Sequence, residues 1–345
     1  MRVRTRVMAA LLATTMTVTL AACGDNSEEN ASNAQTVPPA TAAVSPRGTA
    51  QPVGAVEPQG PASALAVSGA TTAVLGVDGH SVTLHSGVGA ADAPGPKVVQ
   101  LPMSDVVALI ADGDGFLGVG PDGLIAIAAD GAVTQWRQLI DSPLSLAVTG
   151  DKTLVGTSTG KILVFPADRK APSKTIGGFV RVDQILVAPD TSPDVAGQVS
   201  VLDRAQSAIL PVDIDSGEHK AALRAGNGGT NGVVDHFGRI LVTGTRDNEI
   251  YAYYGAPIVQ RLRRPVAASP YALAYDDRRD LLWVSSTSSN EAVAYDLSRG
   301  DAKERARIAT VGQVSAMAVD PVTGRLLLVS ARGDGLQSVP AELTP

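Results

Sequence analysis

The stretch YALAYDDRRDLLWVSSTSSNEAVAYDLSRG, residues 271–300, is made of three apolar runs and the turns between them. YALAY (271–275), LLWVSS (281–286) and EAVAY (291–295) are rich in aliphatic and aromatic residues. DDRRD and TSSN separate them. Apolar runs this short, bounded by Asp, Asn, Ser and Gly, read as strands of antiparallel hairpins rather than as helix. The same beginning recurs along the chain, at ALAV (64–67), VALI (107–110), SLAV (145–148), ILVA (185–188), GVVD (232–235), ALAY (272–275) and AMAV (316–319). The spacing is roughly forty residues, a period that points to propellers or solenoids.

The residues after each tetrad decide between the two. A second apolar run comes next, as in TAVLGV, FLGVG, TLVGTS, ILVTGT, LLWVSST and LLLVSA. A short turn then leads to a third, such as SVTLHS, LIAIAA, KILVFP or EIYAYY. A fourth closes many units, as in PKVVQLP, AVTQWRQL, PIVQRLRR and ERARIATV. Four strands per repeat, joined by hairpin turns, make the blade of a β-propeller, and seven tetrads imply seven blades. A helical repeat would carry an apolar stripe of period 3.6, and none is visible. The fourth unit (DQILVAP, QVSVLD, AILPVDI, HKAALRA) is the least regular, so a six-bladed ring with one divergent unit outside it stays open. Composition agrees with β structure: 44% of residues are hydrophobic and only 3% aromatic, with 35 Gly and 22 Pro to supply turns.

The sixth unit also resembles the YVTN-type repeat of YncE-like bacterial propellers. In that pattern an aliphatic–aromatic–Val strand is followed by Asn, then by a strand ending in Asp and a turn ending in Gly. Leu282, Trp283, Val284, Asn290, Asp296 and Gly300 occupy those places. The seventh unit keeps only the start, AMAVDPVTGRLLLVS, so the resemblance speaks for fold more than for function. WD40 repeats are disfavoured because no Trp-Asp pair occurs, and Kelch repeats because Gly-Gly pairs are too few. The seventh unit ends without a fourth strand after GLQSVP (335–340). Residues 49–56 (TAQPVGAV) are expected to supply it, with Pro52 tolerated only at a sheet edge.

Upstream, MRVRTR gives a positively charged start and residues 7–20 an uncharged apolar run too short to span a bilayer. Leu20, Ala21, Ala22 and Cys23 then resemble the lipobox of bacterial lipoproteins. That resemblance implies a diacylglyceryl group on the Cys23 thiol and cleavage just before it, and the thiolate is the nucleophile such alkylation needs. Cys23 is the only cysteine, so no disulfide can form. The expected organisation is a lipoprotein signal peptide over 1–22, a lipid-anchored flexible tether over 23–56, and an all-β seven-bladed propeller over 57–345. The tether reading rests on a lack of apolar periodicity in a segment rich in Ala, Asn, Ser, Thr and Pro.

The formal charge of −6 repels phosphate backbones, so nucleic acid is not an expected partner. The four histidines fall in different blades and radii, and neither a nucleophile elbow nor a P-loop is present. NGGTNG (227–232) reads as a loop entering the fifth unit. Loops entering the first strand and turns joining the second and third strands gather on one face of a propeller. On that face the sequence places Asp105, Asp183, Asn231 and Tyr271 from the first group and Arg246, Asp247, Asn290 and Arg332 from the second. Calcium-dependent propeller lactonases hold their ion with Glu, Asn and Asp. Asp105, Asp183 and Asn231 resemble part of that set, without the glutamate. A quinone-dependent dehydrogenase would need a ring of tryptophans, and only Trp136 and Trp283 exist. The expected function is a non-catalytic binding or scaffolding module without cofactor or metal. It would be held to the outer face of the cell membrane through lipid on Cys23, and its propeller face would meet a protein or a small polar ligand. The alternative is a metal-dependent, lactonase-like hydrolase acting at the channel mouth.

Overall fold

The computed structural model describes residues 34–47, 51–90 and 92–343. Signal peptide, lipobox and Cys23 lie outside the described residues. The strands form seven four-stranded antiparallel sheets, each one blade of a closed ring. In chain order the innermost strands are Ala62–Ser68, Ala108–Asp112, Pro143–Thr149, Gln184–Val187, Gly229–Val234, Pro270–Asp276 and Val314–Val319. Every apolar tetrad falls on or overlaps one of them. The irregular fourth unit is a full blade inside the ring, so the protein is a seven-bladed β-propeller.

Burial explains the sequence pattern of a blade. The second strand of blade 6, Leu281–Ser286, is buried at every position, whereas the outer strand of blade 5, Val259–Pro265, is largely exposed. A strand packed on both faces reads as an unbroken apolar run, and an outer strand with a free edge carries charge. The core is accordingly divided into seven seams, one between each pair of neighbouring blades. The seam between blades 7 and 1 is the smallest, with Ala62, Val74, Val329 and Leu336 at its centre.

That seam is where the ring closes. Ala55–Glu57 pairs antiparallel with Leu336–Val339, placing Val56 opposite Gln337. The expected segment 49–56 therefore contributes only its last two residues, and Glu57 completes the strand. Pro52 has no N–H to donate, and the pairing begins beyond it. Val53 still touches the ring: its N–H donates to the Ala309 carbonyl (3.0 Å), and its carbonyl accepts from Gln337 Nε2 (2.8 Å). On the other side of the pair, Gly335 has φ +115°, and a Cβ there would lie 2.6 Å from the Val56 side chain.

Glu57 carries the closure into blade 1. His85 is 2% exposed and meets Glu57 Oε2 through Nδ1 (3.2 Å) and the Gln59 side chain through Nε2 (2.9 Å). Burial lowers the His85 pKa below its ordinary 6.5, and the Glu57 carboxylate opposes the shift without cancelling it. The unfolded chain thus takes up a proton at His85 more readily than the folded one. The stability this neutral histidine contributes is present above pH 6.5 and is lost as pH falls below that value. Melting curves on either side of that value should show His85→Gln losing less stability on acidification than the wild type. Parallel pH profiles for the two proteins would remove His85 as the cause.

One local reading changes. NGGTNG is not simply a loop, because Gly229 opens the inner strand of blade 5 and the register shifts between Gly229 and Gly232. The extra residue makes a β-bulge, for which small residues are suited.

Candidate binding face

The upper face of the propeller is formed by the loops entering the inner strands and by the turns between second and third strands. Its backbone is unusual in a repeated way. Ser142, Ser269 and Gln313 each adopt positive φ immediately before an inner strand, and Ser207, Asn248 and Asn290 do so immediately before a third strand. Register shifts mark the upper ends of the inner strands in blades 1, 3, 5, 6 and 7. Left-handed non-glycine residues and bulges are uncommon elements that re-aim side chains and cluster where proteins bind.

Beneath this face the inner strands enclose a central channel of about 700 Å³, with Asp183, Arg204, Asn231 and Tyr271 among its lining residues. Asp183 is nearly buried and accepts from Arg181 Nη2 (2.8 Å) and from the Arg204 backbone N–H (2.9 Å). The Asn231 amide donates to the Tyr271 carbonyl (3.1 Å), an acceptor it shares with the Thr243 hydroxyl (3.0 Å). Asp183, Asn231 and Tyr271 therefore gather at the channel as the sequence places them. Asp105 lies apart, exposed on the loop between blades 1 and 2 with φ 58°.

Asp247 turns away from the channel. It accepts from the Asn227 N–H (2.7 Å) and from the Tyr251 hydroxyl (3.1 Å), which also donates to Glu249 (2.6 Å). Burial pushes the Asp247 carboxyl up, but these donors outweigh it and leave its pKa below the usual range. Tyr251 is pushed well up, first by burial and then by the two carboxylates.

The remaining predicted residues, Arg246, Asn290 and Arg332, meet the chain's own N-terminal segment. The flexible-tether reading does not hold for residues 35–46, which cross the upper face from blade 4 to blade 7. Val37 donates its N–H to the Ala205 carbonyl (2.8 Å). The strap's own carbonyls then accept in turn. Arg246 Nη2 donates to Pro38 (2.9 Å) and Arg204 Nη2 to Ala40. Gln313 Nε2 donates to Ala43 (3.1 Å), Arg332 Nη1 to Ser45 (3.1 Å) and Asn290 Nδ2 to Pro46 (3.0 Å). Ser45 is the pivot, 4% exposed. Its N–H donates to Gln313 Oε1 (3.0 Å) and its hydroxyl to the Thr287 carbonyl (2.8 Å), while that hydroxyl accepts from the Gln313 N–H (2.7 Å). Pro38, Pro39 and Pro46 hold such a segment extended, and three of its contacts come from arginines that can reach a carbonyl with a planar fork of donors.

Sequence reasoning found two of these arginines and missed Arg204. The signal was available, since Arg204, Arg246 and Arg332 all sit in turns between second and third strands. Gln313 and Ser269 were also missed, and no residue-type pattern marks them. Beneath Arg204 lies Asp203, fully buried, which accepts from the N–H groups of Val180 (3.0 Å), Arg181 (2.9 Å) and Gln206 (3.0 Å). Burial raises the Asp203 pKa, and the backbone donors oppose that.

The four histidines do not fall in four blades, since His80 and His85 share blade 1, His80 in a turn beside Asp78 and His85 in the closure seam, while His219 stacks on Phe179 (4.3 Å) and His236 lies beside Asp277 (3.0 Å). Among the described residues no group of three or more His, Cys, Asp or Glu side chains converges as metal ligands do, and no helix is long and apolar enough to cross a membrane.

Fold and face together define a seven-bladed propeller whose upper rim holds an extended segment of its own chain. No protein-family model matches the sequence, and no curated protein matches it. Among solved structures the chain is similar to Kuenenia stuttgartiensis hydrazine synthase, with a TM-score of 0.62 at 14% identity. The match covers 86% of this chain and 97% of that one, and at such identity it shows the shared fold.

Proposed function

We propose that the protein is an extracytoplasmic lipoprotein, anchored through lipid on Cys23, whose propeller is a non-catalytic binding module presenting its upper face to a partner. The observation that carries the module reading is the polar cradle of Arg204, Arg246, Asn290, Gln313 and Arg332, each of which donates to a carbonyl of an extended segment. The Asp183 carboxylate is committed to Arg181 and the Arg204 backbone, an arrangement suited to holding the rim rather than to moving protons. The anchor reading rests on Leu20, Ala21, Ala22 and Cys23 and on the apolar run before them. Two acyl chains suffice for stable attachment, where one would bind only marginally.

In cell fractionation, Cys23→Ser is expected to shift the protein from the membrane to the soluble fraction, and detergent-dependent retention of the variant would overturn lipid anchoring. The same cells test the module through photo-crosslinking. A photoreactive residue replacing Asp105 on the upper face should give discrete protein adducts, and one replacing Asp151 on the lower face should not. Adducts at neither position, or equally at both, would count against a dedicated upper face.

A further inference from the structure

We infer that the upper rim of blades 4 to 7 is a binding groove for an extended, proline-bracketed peptide segment of a partner protein, occupied here in cis by residues 35–46. The inference rests on the binding-module reading and names the chemistry of what that module takes.

The contacts are of a kind that transfers to another chain. Five side chains of the propeller donate to five backbone carbonyls of the strap, at Pro38, Ala40, Ala43, Ser45 and Pro46. Carbonyls are common to every peptide, so this part of the recognition reads an extended backbone and little else. Apart from a long contact of Gln35 Oε1 with Arg224 Nη2 (3.4 Å), side-chain selection falls at two places. Ala40 is 5% exposed and packs beside Gly228, where the room left above the Gly228 backbone admits a small residue. Ser45 is selected by its hydroxyl, which both donates and accepts. Between them Val44 is 88% exposed. The groove therefore calls for an extended peptide with a small residue, a serine five positions later, and prolines at either end to hold it straight.

The strap is also dispensable to the architecture in a way the closing strand is not. Ring closure belongs to Ala55–Glu57, which lies beyond the strap and pairs with a different element. No strap side chain belongs to one of the seven core seams, so its hold depends mainly on hydrogen bonds and on being tethered. A segment fused to its own groove acts at an effective concentration on the order of millimolar. It excludes weak peptides and yields to one that fills the rim better, so access to the groove is set by competition.

The test uses the full chain carrying Cys23→Ser, with a site-specific protease sequence inserted at residues 48–50, between strap and closing strand. The protein is folded first and then cleaved. A synthetic fluorescent peptide, AQTVPPATAAVSPR (residues 34–47), serves as probe. Co-elution of the released N-terminal fragment with the propeller supports the proposal. So does its loss followed by saturable binding of the probe. A probe carrying Ser45→Leu should then bind at least about tenfold more weakly, and the uncleaved chain should bind the normal probe about a hundredfold more weakly because the strap competes. Loss of the fragment with no saturable probe binding overturns the proposal.

A second protein covers the case in which cleavage unfolds the ring. The uncleaved chain with Ala40→Glu and Ser45→Leu weakens the strap without cutting it, and should bind the probe at least about tenfold more tightly than the uncleaved parent. Equal binding by the two overturns the proposal. Concentration-dependent dimers of the uncleaved parent that are lost in this variant would identify the strap of a second copy as the groove's occupant and overturn the assignment to a partner protein. Failure of probe binding with Cys23-dependent fractionation and upper-face adducts intact removes the peptide groove alone.

Discussion

A chain beginning at Pro58 is expected to melt about 10 °C below one beginning at Gln51. Both lack the strap, so the difference isolates the closing segment. Losing it removes the pairing of Ala55–Glu57 with Leu336–Val339, the Val53 N–H bond to Ala309, and one of two acceptors of the buried Gln337 amide. At about 1 kcal/mol net per hydrogen bond, plus the lost contact of Val53 with the seam between blades 6 and 7, the sum is on the order of 5 kcal/mol. A domain of this size loses roughly 2 °C per kcal/mol. The shorter chain also leaves Leu336–Val339 as an open edge, so it should self-associate as concentration rises, which light scattering would detect. Equal melting of the two chains would mean that the ring is held shut by its side-chain seams alone.

Asp203→Ala is expected to cost about 3 kcal/mol, since three partly buried N–H groups, on Val180, Arg181 and Gln206, lose their acceptor together. Asp203→Asn keeps one carbonyl oxygen and should recover part of the loss. The effect should also reach the binding face. Asp203 fixes the turn carrying Arg204, whose side chain holds the Ala40 carbonyl. In limited proteolysis Asp203→Ala should therefore cleave within residues 35–46 faster than Phe116→Ala, a variant in blade 2, away from the strap, whose cavity cost is similar at about 3–5 kcal/mol. Equal cleavage rates for the two would mean that the strap senses global stability and not the Asp203 turn.

The blades were legible because burial on two faces leaves a coarse mark. LLWVSS and ILVTGT are apolar because both of their sides meet a neighbouring sheet, and their turns are polar because they meet water. Even blade 4, with an outer strand of only Leu223–Arg224, kept enough of that mark to be recognised. The strap left none. Apart from Ala40 and the Ser45 hydroxyl its side chains do little to hold it, and recognition through backbone carbonyls puts no constraint on residue type that a hydrophobic period could reveal. VPPATAAVSP reads like a linker because, taken alone, it could not bury enough surface to stay ordered. Its order comes from donors far away in sequence, among them Arg204, Gln313 and Arg332. Topology brings Asp183, Asn231 and Tyr271 to the channel and Arg246, Asn290 and Arg332 to the strap, but whether Asp247 looked toward the channel or toward Tyr251 depended on turn geometry that spacing does not encode.

The closing strand has a consequence for how the ring comes into being. Residues 55–57 leave the ribosome before any blade, yet their partner, Leu336–Val339, follows every other described strand in the chain. Contacts so distant along the chain form late, after the loop between them has been collected. Through nearly the whole of synthesis the nascent protein is an open fan with an unpaired leading edge. A truncation that removes Leu336–Val339 should thus leave every earlier blade without a closed ring, so that the quality of the finished protein is decided jointly by the segments before blade 1 and at the close of blade 7.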